Sequence, residues 1–142
     1  MNKFVIVLLL LAIAGTVSYG QKQDVSKVPV AVKAAFAKQY PGITAKWEKE
    51  DGLFEASFKQ NGSSISAMYE TNGILKETET DIKVNELPSA VQAYVKEHYK
   101  GKSIKEAAKI TKADGTVNYE AEVNGKDVIF DMNGNFLKEV KG

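Results

Sequence analysis

The sequence predicts an α+β protein that consists of two tandem repeats, each a helix followed by antiparallel hairpins. Three observations lead to this prediction. The same ordered markers occur in both halves of the 142 residues, the apolar spacing changes from helical to strand-like within each half, and six Asn-Gly or Asp-Gly pairs separate the strand-like runs. Such pairs form the tight turns of β-hairpins. We therefore expect the helices to pack on one face of a curved antiparallel sheet.

The repeat is carried by matched segments in the two halves of the chain. Residues 28–34 align with residues 87–93, since Val28-Pro29 and Leu87-Pro88 begin the two segments. Further matches follow in the same order, namely Tyr40-Pro41-Gly42 with Tyr99-Lys100-Gly101, Phe54-Glu55-Ala56 with Tyr119-Glu120-Ala121, Asn61-Gly62 with Asn124-Gly125, and Asn72-Gly73 with Asn133-Gly134. Each half is too small to bury much surface alone, so we expect one merged core.

Each repeat begins with a predicted helix. Apolar residues recur at spacings of three and four, as on one face of a helix: Val28, Val32, Ala35, Phe36 and Tyr40, then Leu87, Val91, Tyr94, Val95 and Tyr99. Pro29 and Pro88 suit the helix starts, where a missing N–H costs nothing. Gly42 and Gly101 follow the helices, where a left-handed residue is favoured.

After each helix the apolar period becomes two, which predicts about four antiparallel strands per half. The apolar side of these strands is expected to face the helices, and the opposite side to be polar and open to water. That polar side carries Lys46, Glu48, Glu55, Ser57, Glu120 and Glu122. Trp47 falls on the same alternate positions as the apolar residues of its strand, so it is expected to pack in the core. If exposed on the sheet instead, it would be an anchor for a partner.

The predicted domain organisation begins with a signal peptide at residues 1–20. Residues 4–14 are an unbroken apolar run, too short to span a bilayer but typical of a signal peptide. Cleavage after Gly20 is expected, and an uncleaved N-terminal anchor is the alternative. Residues 21–27 are a polar lead-in. Residues 28–142 form a single domain, in repeats of 28–80 and 87–140 joined through 78–86, and this domain is expected to be periplasmic or secreted.

Composition excludes several kinds of function. The chain has no cysteine, so it can form no disulfide, thiolate metal site or lipid attachment at cysteine. Apart from Lys3, 18 basic residues balance 18 acidic ones, and every basic residue is lysine. Nucleic-acid binding normally needs a positive footprint, so we expect no nucleic acid among the partners.

No residue pattern indicates catalysis, a metal or a cofactor. His98 is the only histidine and has no recognisable nucleophile or orienting carboxylate, so a structural place near a helix C-terminus is favoured over a general base. Residues 131–135 are similar to a calcium loop, but the glycine comes too early, so a hairpin turn is favoured. The acidic clusters at 48–51 and 77–81 are interpreted as solvated strand ends, not paired catalytic carboxylates.

The chain resembles the PepSY-like proteins, which are also described as β-lactamase-inhibitor-like. The resemblance covers roughly residues 28–140 and rests on Leu-Pro at the helix start, Tyr-Pro-Gly or Tyr-x-Gly at its end, and Asn-Gly-x-Leu-Lys-Glu at the last turn. It implies a small periplasmic or secreted domain shaped like the β-lactamase inhibitor protein, whose curved sheet grips a partner. That inhibitor carries disulfides and this chain does not, and no inhibitory contact residue can be transferred.

The leading functional hypothesis is an exported, non-enzymatic module that binds a protein or peptide through the polar sheet side. The candidate binding residues are Lys46, Glu48, Glu55, Glu120 and Glu122, with Trp47 if it is exposed. The alternative is an envelope structural or stress-associated protein without a specific partner. An enzyme is disfavoured because no catalytic constellation is recognisable.

Overall fold

A computed structural model of the chain describes residues 21–141, so the predicted signal peptide lies outside the described residues. The described part is an α+β protein with two α-helices and nine strands. Their bounds are β1 Gln21–Gln23, α1 Val30–Gln39, β2 Lys46–Glu50, β3 Leu53–Gln60, β4 Ser63–Tyr69, β5 Leu75–Ile82, α2 Ser89–His98, β6 Ile104–Lys112, β7 Val117–Val123, β8 Lys126–Asp131 and β9 Phe136–Lys141.

The chain divides into two compact units. The N-terminal unit contains described residues 21–81 and 110–116, and the C-terminal unit contains 82–109 and 117–141. In the N-terminal unit, β1 to β5 pair in sequence order, each antiparallel to the next. In the C-terminal unit, β7 pairs with β8 and β8 with β9, again antiparallel.

Both helices form where the apolar spacing predicts them. Pro29 and Pro88 directly precede α1 and α2, where their fixed φ suits the first turn and no N–H is lost from the helix. Gly42 and Gly101 follow with φ of 78° and 74°. Each glycine is the third residue of a β-turn that begins at the helix cap, since Ile43 N–H donates to the Tyr40 carbonyl and Lys102 N–H to the Tyr99 carbonyl. That position needs a positive φ, which glycine adopts without steric cost.

Most of the buried hydrophobic residues form two clusters, one in each unit, and the expectation of one merged core is corrected accordingly. Four buried residues belong to neither cluster: Met68, Ala108, Ile110 and Ile129. In the N-terminal unit, Val32 and Phe36 of α1 pack on alternate residues of β2 to β4. In the C-terminal unit, Val91 and Val95 of α2 pack on alternate residues of β7 and β8. Each helix therefore covers one face of the strands in its own unit.

The six predicted turns are of two kinds. At Asp51-Gly52, Asn61-Gly62 and Asn124-Gly125 both residues have positive φ, as expected for two-residue hairpins. At Asn72-Gly73, Asp114-Gly115 and Asn133-Gly134 only the glycine does, which corrects the expectation of two positive angles. In each of these turns the glycine N–H donates a hydrogen bond to the carbonyl three residues earlier. The glycine is therefore the last residue of a four-residue turn, and it also forms a β-bulge. This is the common three-residue hairpin loop.

Two segments expected to be connections contain regular structure. Gln21–Gln23 of the polar lead-in forms β1 and pairs with β2, because the edge of β2 offers free backbone groups. Residues 78–82 of the expected connection continue β5, where Thr78 and Thr80 favour an extended chain. Short 3-10 turns at Val25–Lys27 and Val84–Glu86 then lead into the two helices.

Candidate binding surface

In the N-terminal unit, the strand side away from α1 is mainly polar. Trp47 and Ala56 face the core and stand opposite each other, so their strand neighbours Glu48 and Glu55 project to the other side. We call that side the N-terminal polar face. The strand registers assign it Lys22, Lys46, Glu48, Glu50, Leu53, Glu55, Ser57, Lys59, Ser64, Ser66, Met68, Glu77, Glu79 and Asp81.

Glu55 lies at the centre of this face. The registers place Glu48 of β2 on one side of it and Met68 of β4 on the other. Its side chain is only 1% exposed. Oε1 accepts a hydrogen bond from Ser57 Oγ at 3.1 Å, while Oε2 has no hydrogen-bond partner among the described residues.

Burial raises the pKa of Glu55 to about 7. Removing a carboxylate from water disfavours its charged form, and the negative charges of Glu48 and Glu50 raise the pKa further. The hydroxyls of Ser66 and Ser57 lower it by less. Glu55 therefore changes charge near neutral pH.

The C-terminal polar face is the corresponding side of β7 to β9. The registers assign it Asn118, Glu120, Glu122, Asp127, Ile129, Asp131, Lys138 and Val140. Asp127 is 3% exposed and its Oδ2 has no hydrogen-bond partner in the described part of the chain. Burial, followed by the charges of Glu122 and Glu106, raises the pKa of Asp127 to about 6.

The expectation that the polar side is open to water is wrong for Glu55 and Glu120, which are buried. Each lies in a middle strand, where neighbouring side chains shield it: Met68 stands opposite Glu55, and Ile129 stands opposite Glu120. Trp47 is also buried, 5% exposed. Its ring packs edge-on against Phe36 with centroids 5.3 Å apart, so it is a core residue and not an exposed anchor.

Three of the predicted binding residues remain accessible. Lys46 is exposed, and Glu48 is half-buried. Glu122 forms a 3.4 Å ion pair with Lys105 and keeps 24% of its side chain exposed. These residues form the solvent-facing rim of the two polar faces.

Sequence reasoning missed the apolar residues of these faces. Met68 and Ile129 are 2% and 0% exposed, yet they project away from the helix-facing residues beside them. A signal was present, because Ala67-Met68-Tyr69 and Val128-Ile129-Phe130 are unbroken apolar runs. Such runs predict strands that are buried on both sides, whereas strict alternation predicts one solvated side.

His98 has the structural surroundings expected at a helix end. Its exposed ring stacks on Tyr94 at 3.9 Å, and Nδ1 lies 3.0 Å from the Tyr94 carbonyl oxygen. Tyr94 in turn stacks on Phe136, with centroids 5.0 Å apart. The ring therefore contacts its own helix and the neighbouring aromatic residue.

The turn at 131–135 is a hairpin turn, as predicted. Asp131 Oδ1 accepts from the backbone N–H groups of Asn133 and Asn135, both at 2.9 Å. These hydrogen bonds and the one from the Asn135 side chain hold the pKa of Asp131 below its usual value. The carboxylate thus closes the turn locally.

The described residues lack two features that bear on function. They contain no group of three or more His, Cys, Asp or Glu side chains that could hold a metal ion. None of their helices combines the length and apolar character needed to cross a membrane.

Fold and surface together define a class: small α+β proteins whose helices cover one side of antiparallel strands and leave the other side polar. Residues 52–138 match the family model described as "Putative beta-lactamase-inhibitor-like, PepSY-like". The chain belongs to this PepSY-like family, which confirms the resemblance seen in the sequence. No curated protein sequence matches the chain.

Solved structures show the same fold. A BLIP-like protein of Bacteroides fragilis is 26% identical with a TM-score of 0.66, covering 80% of this chain and 88% of that one. A Bacteroides eggerthii structure, described among "putative periplasmic proteins", is 17% identical with a TM-score of 0.73, covering 79% of this chain and 87% of that one. The predicted fold class, α+β with helices and antiparallel strands, is confirmed.

Proposed function

We propose that this chain is an exported, non-enzymatic module that binds a protein or peptide partner through its polar faces. The observation that carries the proposal is incomplete hydrogen bonding of buried groups on both faces. Glu55 Oε2, Ser66 Oγ and Asp127 Oδ2 are buried without a hydrogen-bond partner among the described residues. Buried polar groups are nearly always paired, and each unpaired one costs about 1–3 kcal/mol. A partner that displaces the covering side chains and supplies donors would recover that free energy.

Family and sequence support the two other parts of the proposal. The β-lactamase-inhibitor-like description of the family supports binding in preference to catalysis. The predicted signal peptide at residues 1–20 supports export. Whether the partner is a β-lactamase is open to direct assay, since inhibition of purified β-lactamases by the protein can be measured from substrate turnover.

We further propose that the two units are tandem repeats of one ancestral hairpin unit. Each has an irregularity in strand register at the matching place, between Met68 and Tyr69 and between Ile129 and Phe130. In each, the glycine of the following turn lies against the first turn of the helix, Gly73 near Ala31 and Gly134 near Ala90. These shared details support duplication beyond the sequence markers alone.

The binding proposal is tested by capture from a native envelope extract. The tagged protein is compared with two rim variants, Lys46→Glu with Glu48→Lys in the N-terminal unit and Glu122→Lys in the C-terminal unit. Accessible residues are chosen because placing a lysine at buried Glu55 or Glu120 risks unfolding. Glu97→Lys, at an exposed position of α2, is the matched control.

We expect saturable capture of a partner that at least one rim variant weakens and that the control leaves unchanged. Circular dichroism of every variant checks that it is folded. Equal recovery by the folded rim variants would exclude the polar faces as the binding surface. Absence of any saturable capture would favour a structural or stress-associated protein without a specific partner.

A further inference from the structure

The N-terminal polar face has an uneven charge distribution. One cross-strand row runs from Lys22 through Glu48, Glu55 and Met68 to Glu77. The whole face carries six carboxylates and three lysines, and its acidic members are Glu48, Glu50, Glu55, Glu77, Glu79 and Asp81. The face is therefore acidic, while the whole chain is close to neutral.

The lysines of this face do not neutralise its central carboxylate. Lys22 and Lys46 are exposed, and within the described residues neither forms an ion pair with Glu48, Glu50 or Glu55. Glu55 has one hydroxyl donor on Oε1 and none on Oε2. A buried anion without a counter-charge is unfavourable unless a cation reaches it.

We propose that this face binds a basic segment of the partner, with a lysine or arginine side chain that reaches the buried Glu55 carboxylate by turning aside the flexible side chain of Met68, which shields it. The inference deepens the proposed function and rests on it. Met68, next to Glu55 across the strands, provides an apolar contact for the methylene stem of such a side chain. Glu48, half-buried and next to Glu55 in the row, attracts further positive charge on the same segment.

Charge argues against a second copy of the chain as the occupant. A symmetric dimer through this face would bring the same carboxylates together, and like charges across an interface oppose association. A basic segment instead gains attraction from every acidic residue of the face. The opposite signs of the two surfaces also accelerate association at low salt.

The test uses two fluorescein-labelled peptides with the purified full chain. One peptide alternates arginine and leucine, and the other has glutamate at each arginine position. Fluorescence anisotropy measures Kd at pH 8 for the native protein, for Glu55→Gln and for the control Glu97→Gln, which removes one exposed carboxylate from α2. Glutamine keeps the size of Glu55 and removes its charge, so the variant is expected to fold.

We expect the basic peptide alone to bind. Glu55→Gln should raise its Kd at least about tenfold, since hydrogen bonds to a charged group are the strong ones, and Glu97→Gln should leave it unchanged. Lowering the pH from 8 to 5 should weaken binding to the native protein and not to Glu55→Gln. Similar affinity for both peptides, or an unchanged Kd for Glu55→Gln, would overturn the inference.

The peptide experiment can fail while the proposed binding function holds, and the two results can be told apart. If a partner is captured through the rim residues but neither peptide binds, the module binds proteins and the basic-segment inference fails. A dimer mass in light scattering, lost when Lys46 and Glu48 are exchanged in charge, would likewise overturn the inference by assigning the face to a second copy.

Discussion

The two units fold into the same order of elements with different cores. In the N-terminal unit, the Phe36 ring contacts four other aromatic rings, with centroid distances from 5.3 to 6.5 Å, namely those of Tyr40, Trp47, Phe58 and Tyr69. In the C-terminal unit the matching helix position is Val95, in a cluster whose buried members are aliphatic apart from Phe130. There the rings of Tyr94, His98 and Phe136 stack near the surface instead. The spacing of apolar residues along the chain thus determines the helices and strands. The kind of apolar side chain determines how strongly the stability of each core depends on a single residue.

The largest expected effect comes from removing the central ring of the aromatic core. Phe36→Ala should lower the free energy of unfolding by about 3–5 kcal/mol, because Phe36 contacts four other rings of its cluster. Val95→Ala removes less buried surface and should cost roughly half as much. Urea denaturation followed by circular dichroism measures both. Equal losses would show that the two cores depend on their helices to the same extent.

A second comparison concerns the two polar faces and their response to pH. Because the pKa of folded Glu55 is raised from 4.5 to about 7, the folded protein binds this proton more tightly than the unfolded chain does. Stability should therefore fall as pH rises from about 4.5 to about 7, by up to about 3 kcal/mol. Asp127, raised from 3.8 to about 6, should act over a lower window.

Glutamine at position 55 separates these contributions. In Glu55→Gln the fall in stability between pH 6 and 7 should disappear, and the fall between pH 4 and 6 should persist in part through Asp127. Urea midpoints measured at half-unit intervals of pH give the comparison. A pH profile that is the same with and without the Glu55 carboxylate would show that its burial has no energetic consequence.

The smallest expected difference lies in the turns that contact the helices. A Cβ on Gly73 would lie 2.6 Å from the Ala31 carbonyl oxygen, whereas one on Gly134 would lie 2.8 Å from the Ala90 side chain. Gly73→Ala should therefore cost about 2 kcal/mol more than Gly62→Ala, since Gly62 has the same positive φ and open space around it. Gly134→Ala should cost less than Gly73→Ala.

Thermal unfolding of the three glycine variants measures this order. Ala90→Gly combined with Gly134→Ala should recover stability, because it removes the side chain that the new methyl group meets. No equivalent change relieves Gly73→Ala, since the obstacle there is main chain. Equal costs at all three glycines would mean that only the left-handed conformation matters.

The sequence predicts the helices and turns well because short-range rules control them. Pro29, Gly42 and Asn61-Gly62 are read from backbone preference alone, and each has the predicted role. The sequence predicts a turn at Asn72-Gly73 but not its type. Turns in which one residue has a positive φ and turns in which two residues do can contain the same dipeptide. The pairing of β1 depends on a strand edge distant in sequence, so the composition of 21–27 gives no sign of it.

The candidate surface was predicted in position but not in environment. Parity alone places Lys46, Glu48 and Glu122 on the side away from the helices. This alternation does not predict the burial of Glu55, because that burial depends on Met68 in another strand. Which residues of two strands stand opposite each other cannot be inferred from the sequence of one strand alone. The uninterrupted run Ala67-Met68-Tyr69 is the feature that carries this information.

The short strand β1 has a consequence for behaviour at high concentration. Among the described residues it is a three-residue strand at the edge of the N-terminal unit, with Lys22 in the middle. An extended segment of another molecule could form few backbone hydrogen bonds with this short strand, and the charged side chain of Lys22 would oppose its pairing. This edge therefore disfavours fibril growth by strand addition, and it does so without a disulfide.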